Sequence, residues 1–407
     1  MMLSTRENVH QKLDWLATFS ESTLGVTRLL YSKAWKDARE ALIAYMKSLG
    51  FSVYEDAAGN VFGRIQGETD DVILTGSHLD TVKNGGKYDG AYGVLAGIHA
   101  VYHTWKTYGT PYKTLEAAIF CEEEGSRFKT AYIGSRYIVG DASEEDFSAE
   151  DAAGHSVNQA REALGLTASL SFTGRSDIER FIELHIEQGQ QLEQSGDHLG
   201  IVKAIVGQQR FTYQISGSAN HAGTTPMNMR RDALEAAALM ITAINRLTKE
   251  AGDPFVATVG TIEAAPGSVN VIPGEVTFTL DVRHPEDEKL TAHVLQLEKA
   301  CVAIADEHNV KLDVQRFVTI EAVPMDEQMV NDLHEICEQE QLTHKLMYSG
   351  AGHDAQVVGR SVPAAMLFVP SRHGLSHHPD EYTEPQYLEN GIAILEKALS
   401  SWAWKEK

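Results

Sequence analysis

The sequence predicts an α/β protein, with a mixed sheet flanked by helices, whose chain is interrupted by an inserted α+β unit. Two observations lead to this prediction. Short apolar runs at 72–75, 115–121 and 181–189 alternate with apolar residues at helical spacing, which is typical of buried strands connected by helices. Near Gly207 the pattern changes to β-α-β-β-α-β, the order of a split βαβ, ferredoxin-like unit. We therefore expect a discontinuous domain at 1–208 and 324–407, and an inserted domain at 209–323.

Helical spacing and apolar alternation place the individual elements. In the discontinuous domain we expect helices at 6–20, 33–49, 91–107, 326–341 and 386–402, and strands at 51–54, 61–65, 72–75, 115–121, 181–189, 345–349 and 364–369. In the inserted domain we expect strands at 211–216, 255–264, 275–283 and 311–318, and helices at 232–249 and 286–307. Residues 141–180 are mixed and acidic, and they indicate helical patches without identifiable chemistry.

Charge and cysteine content limit the class of function. With 57 acidic against 35 basic residues the formal net charge is −22, so the protein's field repels nucleic acid and anionic membranes. Three scattered cysteines, Cys121, Cys301 and Cys337, are too few for a disulfide framework or a cysteine zinc site. No apolar window reaches the length of a membrane span, about 18 residues, and the first residues lack a signal-peptide core. We therefore expect a cytoplasmic protein without nucleic-acid or membrane partners.

The most informative stretch is 71–94, in which an apolar run ends in Gly76-Ser77-His78-Leu79-Asp80 and a glycine-rich loop leads to Asp89. On an extended chain His78 and Asp80 share a face at the carboxyl end of the strand, where open α/β sheets bind ligands. Asp80 could steady the His78 ring, and a folded-back loop could bring in Asp89 as a ligand that bridges two cations. The alternative is a capping histidine with two solvated turn aspartates.

Three further polar clusters follow apolar runs. Glu122, Glu123 and Glu124 repel one another strongly unless cations neutralise them, so one could bind a metal while a neighbour acts as general base. A solvated acidic turn is the alternative. His185 shares its face of an apolar strand with Glu183 and Glu187, and otherwise reads as a core histidine. The loop at 371–379 carries three histidines, and we expect one of them, between 373 and 378, to be a metal ligand.

Together these residues form a set of imidazole and carboxylate groups without thiolates. Such a set suits Zn²⁺, Mn²⁺, Co²⁺ or Ni²⁺, and the number of carboxylates indicates two ions rather than one. Two neighbouring ions can polarise a carbonyl and supply hydroxide, which is hydrolytic chemistry. In the inserted domain the polar landmarks are 220–226, 268–273 and 281–284. Arg283 could hold a substrate carboxylate in a bidentate pair, or it could be a surface charge.

The whole chain resembles the aminoacylase and carboxypeptidase-like metallohydrolases of the M20 family. The resemblance rests on six motifs in the order typical of the family, namely GSHLDTV, GGKYDG, EEEGSRF, ELHIEQG, NHAGTTP and LSHHP. It implies a two-metal catalytic domain and an inserted domain that serves as a lid and dimerisation surface. The expected partners are therefore a small substrate and a second copy of the chain.

The resemblance also implies roles for individual residues. His78, Asp89, Glu124, His185 and His377 would hold two divalent ions, Mn²⁺ or Zn²⁺ with Co²⁺ or Ni²⁺ as alternatives, and Asp89 would bridge them. Glu123 would be the general base and Asp80 would orient His78. Substrate would be bound by Gln208, His221, Asn270 and Arg283, with His221 in its own or the neighbouring subunit's site.

Within the family, the motifs look most similar to amidohydrolases that cleave ureido groups, the allantoate amidohydrolases and the N-carbamoyl-L-amino acid hydrolases. Asn220, Thr225, residues 263–266 and Gly352 favour the allantoate type, which converts allantoate and water to ureidoglycine, ammonia and carbon dioxide. An N-carbamoyl-L-amino acid hydrolase is the alternative. More distant alternatives are a dipeptidase or aminopeptidase and a non-catalytic metal-binding protein, against which the intact Glu123 argues.

Overall fold

A computed structural model describes residues 8–404 of the chain. Its chain separates into two compact units, Met1–Lys203 with Met325–Lys407, and Ala204–Pro324. The second unit is thus an insertion in the first, whereas the sequence prediction placed an inserted domain at 209–323. The first two positions of the helix expected at 6–20 lie outside the described residues.

Helices and strands alternate along most of the chain. The helices are Val9–Ala17 (α1), Lys33–Leu49 (α2), Ala91–Tyr108 (α3), Ile133–Val139 (α4), Glu144–Ser148 (α5), Val157–Ala163 (α6), Gln191–Ser195 (α7), Ala233–Ala251 (α8), Asp287–Glu307 (α9), Glu327–Gln339 (α10), Asp354–Val358 (α11) and Pro385–Ala403 (α12). The strands are Ser52–Glu55 (β1), Val61–Ile65 (β2), Thr69–His78 (β3), Lys113–Phe120 (β4), Ile178–Ile186 (β5), Leu199–Ile205 (β6), Gly207–Ser216 (β7), Asn220–His221 (β8), Val256–Ala265 (β9), Val271–Ile272 (β10), Glu275–His284 (β11), Lys311–Ile320 (β12), Val323–Pro324 (β13), His344–Ser349 (β14) and Ala364–Val369 (β15).

The sheet of the first unit is mixed, with a parallel centre. Its strands follow the order β1-β2-β4-β3-β5-β15-β6, and β14 also pairs with β6. β3 is parallel to β4 and β5, and β15 is parallel to β5, whereas β2 and β6 are antiparallel to their inner neighbours. The four central strands β4, β3, β5 and β15 therefore end at one edge of the sheet, where open α/β sheets place their ligands.

The central strands are buried because helices cover them. Val72 to His78 of β3 and Phe181 to Ile186 of β5 are buried without a break, as is typical of parallel strands covered on both faces. Helix α3 is buried from Ala91 to Val101. Its Gly93 lies where a Cβ would collide with the carbonyl oxygen of Leu184, so the helix approaches β5 more closely than any other residue type would allow.

The second unit is a four-stranded antiparallel sheet with two helices. The strand order is β12-β7-β11-β9. Strand β7 therefore lies between β12 and β11, and β9 pairs with the other side of β11. This is the order expected for a split βαβ unit. Alternate residues such as Tyr213 and Phe278, whose rings stack at 4.8 Å, form its core with Met240 of α8 and Leu297 of α9.

The α/β class predicted from the sequence is confirmed, and the differences are local. The strand expected at 181–189 ends at Ile186, and the next residues form a loop. Strand β6 and helices α4 and α11 were not predicted. Among residues 8–404, no helix combines the length and apolar character that crossing a bilayer requires. The three cysteines are buried and free.

Arg28 anchors the turn that follows β3, although the sequence analysis did not single it out. Its side chain is 1% exposed. The guanidinium donates to the carbonyl oxygens of Leu79 at 2.7 Å, Leu16 at 3.0 Å and Phe19 at 3.3 Å. Burial lowers its pKa to about 10, so the group stays charged at neutral pH. Arg28 thereby ties the end of α1 to the residue between His78 and Asp80.

The variant Arg28→Met should lower the free energy of unfolding by about 3 kcal/mol, because three buried carbonyl groups lose a charged donor. Urea unfolding followed by circular dichroism measures this change. The control is Arg246→Met, which removes an exposed pair between Arg246 and Glu250 and should cost less than about 0.5 kcal/mol. Equal losses in the two variants would contradict the anchoring role of Arg28.

Candidate metal centre

Five chain segments bring polar side chains to the common edge of the parallel strands. His78 is the last residue of β3, and residues 122–124 follow β4 after one intervening residue. His185 is the last but one residue of β5, and His377 lies in the loop that follows β15. Asp89 precedes α3, which begins two residues later. Residues separated by up to about 300 positions in the sequence therefore meet because their strands are parallel.

Asp89 is the centre of this arrangement. One oxygen, Oδ1, lies 3.1 Å from His185 Nε2 and 3.4 Å from His78 Nε2. The other oxygen, Oδ2, lies 3.2 Å from His377 Nε2. Burial opposes the charged form, but the three imidazole contacts hold the pKa of Asp89 well below its ordinary value. The same contact with Asp89 raises the pKa of His377 to about 9. The site thus concentrates negative charge that attracts cations.

Two of the imidazole rings are held by backbone carbonyl groups. His78 Nδ1 lies 3.0 Å from the carbonyl oxygen of Asp80, and His185 Nδ1 lies 2.9 Å from that of Ile186. A carbonyl oxygen only accepts, so each Nδ1 carries a proton, and Nε2 is the nitrogen that faces Asp89 and that a metal ion would bind in place of a proton. The backbone N–H of Gly90 also lies 3.1 Å from His185 Nε2. This is the orientation of metal-binding histidines.

The donors form groups that share members. His78, Asp89 and His185 offer ligand atoms within 4.8 Å of one another, and so do Asp89, Glu124 and His377. His78, Glu123 and Glu124 make a third such group. Buried Oε1 of Glu124 has no hydrogen-bond partner in residues 8–404, although an unpaired buried carboxylate oxygen is costly. A divalent cation bound to nitrogen and oxygen ligands fits this donor set and would satisfy that oxygen.

Asp80 organises the turn after β4 through its carboxylate. Oδ1 accepts the backbone N–H groups of Glu122 at 3.0 Å and Glu123 at 3.1 Å, and Oδ2 accepts that of Glu124 at 3.2 Å. The carboxylate lies 3.7 Å from His78 Nδ1, whose nearer partner is the Asp80 carbonyl. Asp80 is expected to orient His78, and its side chain also fixes the backbone of residues 122–124.

The glutamates of this turn are buried beside one another. Burial, with the charge of Glu124 adding to it, raises the pKa of Glu123 well above its ordinary value. Burial and the charge of Asp89 raise the pKa of Glu124 to about 7. Burial and the charge of Asp80 raise that of Glu122 as well. A carboxylate whose proton affinity is raised in this way is suited to take up and release protons near neutral pH.

Tyr132 contacts Glu123 and was not predicted from the sequence. Burial and the charge of Glu123, to which the hydroxyl is hydrogen-bonded, keep the pKa of Tyr132 above its ordinary value, so the hydroxyl remains a donor. The residue has a positive φ of 60°. Its hydroxyl occupies the place that a Cβ at position 352 would fill. Gly352, which we singled out for specificity, therefore makes room for the group that contacts Glu123.

Three further residues form hydrogen bonds with Asp89, in addition to its contacts with the three histidines. Glu381 accepts the backbone N–H of Asp89 at 3.1 Å and that of Tyr88 at 2.9 Å. Gln188 Nε2 donates to Asp89 Oδ2 at 3.0 Å, and the Ser376 hydroxyl donates to the same oxygen at 3.1 Å. Gln188 and Ser376 lie inside motifs that the sequence analysis quoted, whereas nothing in the sequence marked Glu381.

Other residues proposed as neighbours lie elsewhere. Glu183 accepts from the Ser77 hydroxyl at 2.7 Å and from the Ala355 N–H at 2.8 Å, and Glu187 accepts the N–H groups at the start of α7. Neither carboxylate contacts Asp89. Of the three loop histidines, His377 joins the site, while His373 pairs with Glu193 and His378 with Asp380.

The four expected substrate-binding residues form two groups in the second unit. Gln208 and Arg283 both donate to the Asp281 carboxylate, which Arg283 meets with two contacts of 2.9 and 3.0 Å. His221 and Asn270 are neighbours, since β8 pairs with β10 and the Asn270 carbonyl accepts from Ala222. His221 is exposed, and its Nδ1 accepts the Gly223 N–H at 3.0 Å, so Nε2 carries the proton of the neutral ring.

The chain is similar to known proteins over nearly its whole length. The model of the peptidase family M20/M25/M40 matches residues 74–401. An allantoate amidohydrolase of Bacillus subtilis is 44% identical over 407 residues, covering 99% of both chains. An N-carbamoyl-L-amino-acid amidohydrolase of Paenarthrobacter aurescens is 39% identical and covers 97% of both. A crystal structure of a hydantoinase/carbamoylase family amidase from Burkholderia multivorans has a TM-score of 0.94, with 32% identity and 98% coverage of both chains.

The variant Gly352→Ala should lower the free energy of unfolding by about 1–3 kcal/mol, because its Cβ overlaps the Tyr132 hydroxyl. Thermal and urea unfolding measure the change. Gly350→Ala is the matched control, since a Cβ there meets no atom within 4 Å. In a Tyr132→Phe background the loss should shrink, as expected for two groups that share one space. An undiminished loss in that background would show that the hydroxyl is not the obstacle.

Proposed function

The chain belongs to the peptidase family M20/M25/M40, and on this premise we propose that it hydrolyses the ureido carbon–nitrogen bond of allantoate. The products are ureidoglycine, ammonia and carbon dioxide. The observation that carries the proposal is the buried Asp89, which is shared by two groups of metal-ligating donors next to Glu123. The full-length likeness to an allantoate amidohydrolase supports the choice of substrate.

We further propose that the site holds two divalent ions, Mn²⁺ or Zn²⁺, with Co²⁺ or Ni²⁺ as alternatives. One would be held by His78, Asp89 and His185, and the other by Asp89, Glu124 and His377; the sharing of Asp89 between the two donor groups supports this assignment. Bound divalent ions supply Lewis-acid polarisation of a carbonyl group and lower the pKa of water. Proton transfer and substrate binding are assigned to the surrounding side chains.

Glu123 is the proposed general base. Its buried carboxylate, with a raised pKa, takes a proton from the attacking water and returns it to the departing nitrogen. The Tyr132 hydroxyl donates to Glu123 and restricts its rotation, so the carboxylate faces the donor cluster. Ammonia leaves first, and the carbamate that remains loses carbon dioxide.

Substrate binding is assigned to four residues of the second unit. Arg283 is the proposed partner of the substrate carboxylate, and its planar fork supports the role even though Asp281 holds it in this structure. Gln208 donates to the same Asp281 and would adjust with Arg283. His221 would donate through Nε2 to the oxygen on which negative charge develops, with Asn270 beside it.

We propose that the protein acts as a cytoplasmic homodimer formed through the second unit. Exposed apolar side chains of that unit, Val256 and Ile262 on β9 and Leu239 on α8, support a surface that a second copy covers. The buried free thiols are compatible with a reducing compartment. An N-carbamoyl-L-amino acid remains the alternative substrate, supported by the relative from Paenarthrobacter aurescens.

Ammonia release by the metal-reconstituted protein tests the proposal. Allantoate and an N-carbamoyl-L-amino acid are compared in parallel, together with an alkylurea that lacks the carboxylate. We expect turnover of allantoate, slower or no turnover of the carbamoyl compound and none of the alkylurea, since only the carboxylates can pair with Arg283. Preference for the carbamoyl compound would show that it, and not allantoate, is the substrate. Hydrolysis of dipeptides alone would reject the proposal that the protein cleaves ureido groups.

The variant Glu123→Gln should reduce turnover by about 10²–10⁴-fold while metal content is unchanged, because the amide cannot accept the proton of water. Steady-state ammonia release and elemental analysis give the two readouts. Glu122→Gln is the matched control, since it makes the same exchange at the neighbouring buried position, which has no assigned role in the reaction. Substantial activity in Glu123→Gln would remove Glu123 from the role of base.

A further inference from the structure

A second group of metal-ligating side chains lies outside the candidate metal centre, where α10 meets β14. His334 and Glu338 are separated by four positions on α10 and therefore share a face of the helix. His344 is the first residue of β14. Ligand atoms of the three side chains lie within 4.8 Å of one another.

The connection between helix and strand fixes the position of His344. The backbone N–H groups of Glu340, Gln341 and Leu342 donate back to carbonyl groups in the last turn of α10, at 3.0 to 3.2 Å. The His344 side chain is 6% exposed, whereas the Glu338 side chain is 67% exposed. The group is thus closed on the protein side and open to solvent on the other, which allows an ion to enter.

Hydrogen bonding sets the tautomer of His344. Its Nδ1 lies 2.9 Å from the carbonyl oxygen of Leu342, so Nδ1 carries the proton and Nε2 presents a lone pair. That Nε2 lies 2.7 Å from His334 Nδ1 and 3.8 Å from Glu338 Oε1. Metal-binding histidines are arranged in this way, with one ring nitrogen hydrogen-bonded to a backbone carbonyl group and the other available to the ion.

We infer that His334 Nδ1, His344 Nε2 and Glu338 Oε1 form a second site for a divalent transition metal, separate from the catalytic residues. Two imidazoles and one carboxylate suit Zn²⁺, Ni²⁺, Co²⁺ or Cu²⁺, with water completing the coordination. Tetrahedral bonds of about 2.1 Å place donors about 3.4 Å apart. The two rings must therefore separate slightly and Glu338 must approach, and the His334 and Glu338 side chains that would move are exposed to solvent. Without an ion, the two rings are hydrogen-bonded to each other through these nitrogens.

The expected consequence is a crosslink between α10 and the sheet. An ion that binds only the folded chain stabilises it in proportion to the logarithm of its concentration over Kd. The inference is independent of the proposed function, because none of the three residues belongs to the catalytic set. Loss of the site should leave ammonia release unchanged.

Equilibrium dialysis of the full chain against Ni²⁺, followed by elemental analysis, tests the inference. The variants His334→Ala and Glu338→Gln replace exposed side chains, so they should fold, and His334→Ala should bind one Ni²⁺ per chain fewer than the wild type. Glu338→Gln should weaken binding of that ion at least tenfold.

The matched control Glu335→Gln, at an exposed neighbouring position of α10, should bind as much Ni²⁺ as the wild type. His344→Ala should likewise lose one ion, and the melting temperature of the wild type should rise with Ni²⁺ more than that of His334→Ala. Equal Ni²⁺ content in the wild type and His334→Ala would overturn the inference.

Discussion

Three imidazole rings converge on the single buried carboxylate of Asp89, and the rest of the site depends on this contact. A charge excluded from water is costly unless cations or hydrogen bonds compensate for it. The chain compensates with the three rings and with donors from Gln188 and Ser376. Because each carboxylate oxygen faces a different set of donors, one residue can serve two ions. The two donor groups are therefore coupled through Asp89.

The position of Asp89 follows from the topology of the sheet. Four parallel strands end at one edge, and buried polar groups fix the backbone of the segments that follow two of them, β3 and β4. The Asp80 carboxylate accepts hydrogen bonds from the three N–H groups of residues 122–124. Glu381 accepts those of Tyr88 and Asp89, and Arg28 donates to the carbonyl oxygen of Leu79. The candidate ligands therefore belong to a preformed network, which would reduce the reorganisation that binding of ions requires.

The sequence indicated the α/β class and the residues at the strand ends, because apolar periodicity and local motifs are short-range signals. His78, Asp89 and Glu124 were recognisable for this reason. Glu381 was not, since its hydrogen bond to Asp89 spans 292 positions and no pattern marks it. Tyr132 lay in a stretch without periodicity, and its contact with Glu123 requires the space left by Gly352. The expected neighbours Glu183 and Glu187 show the converse, because alternation assigns them to the face of His185 but does not reveal how far along the chain the site extends. Glu183 lies two residues before His185 in β5, and Glu187 lies beyond the end of the strand.

The central claim is that Asp89 couples two donor groups, and the metal content of Asp89→Asn tests it most directly. Wild-type protein and variant are depleted with a chelator, dialysed against the same Zn²⁺ or Mn²⁺ solution and analysed for bound metal, with circular dichroism to verify that both are folded. The account predicts that the folded variant binds two ions per chain fewer than the wild type, because both donor groups lose their shared ligand. A folded variant that binds as many ions as the wild type, or only one fewer, would contradict it.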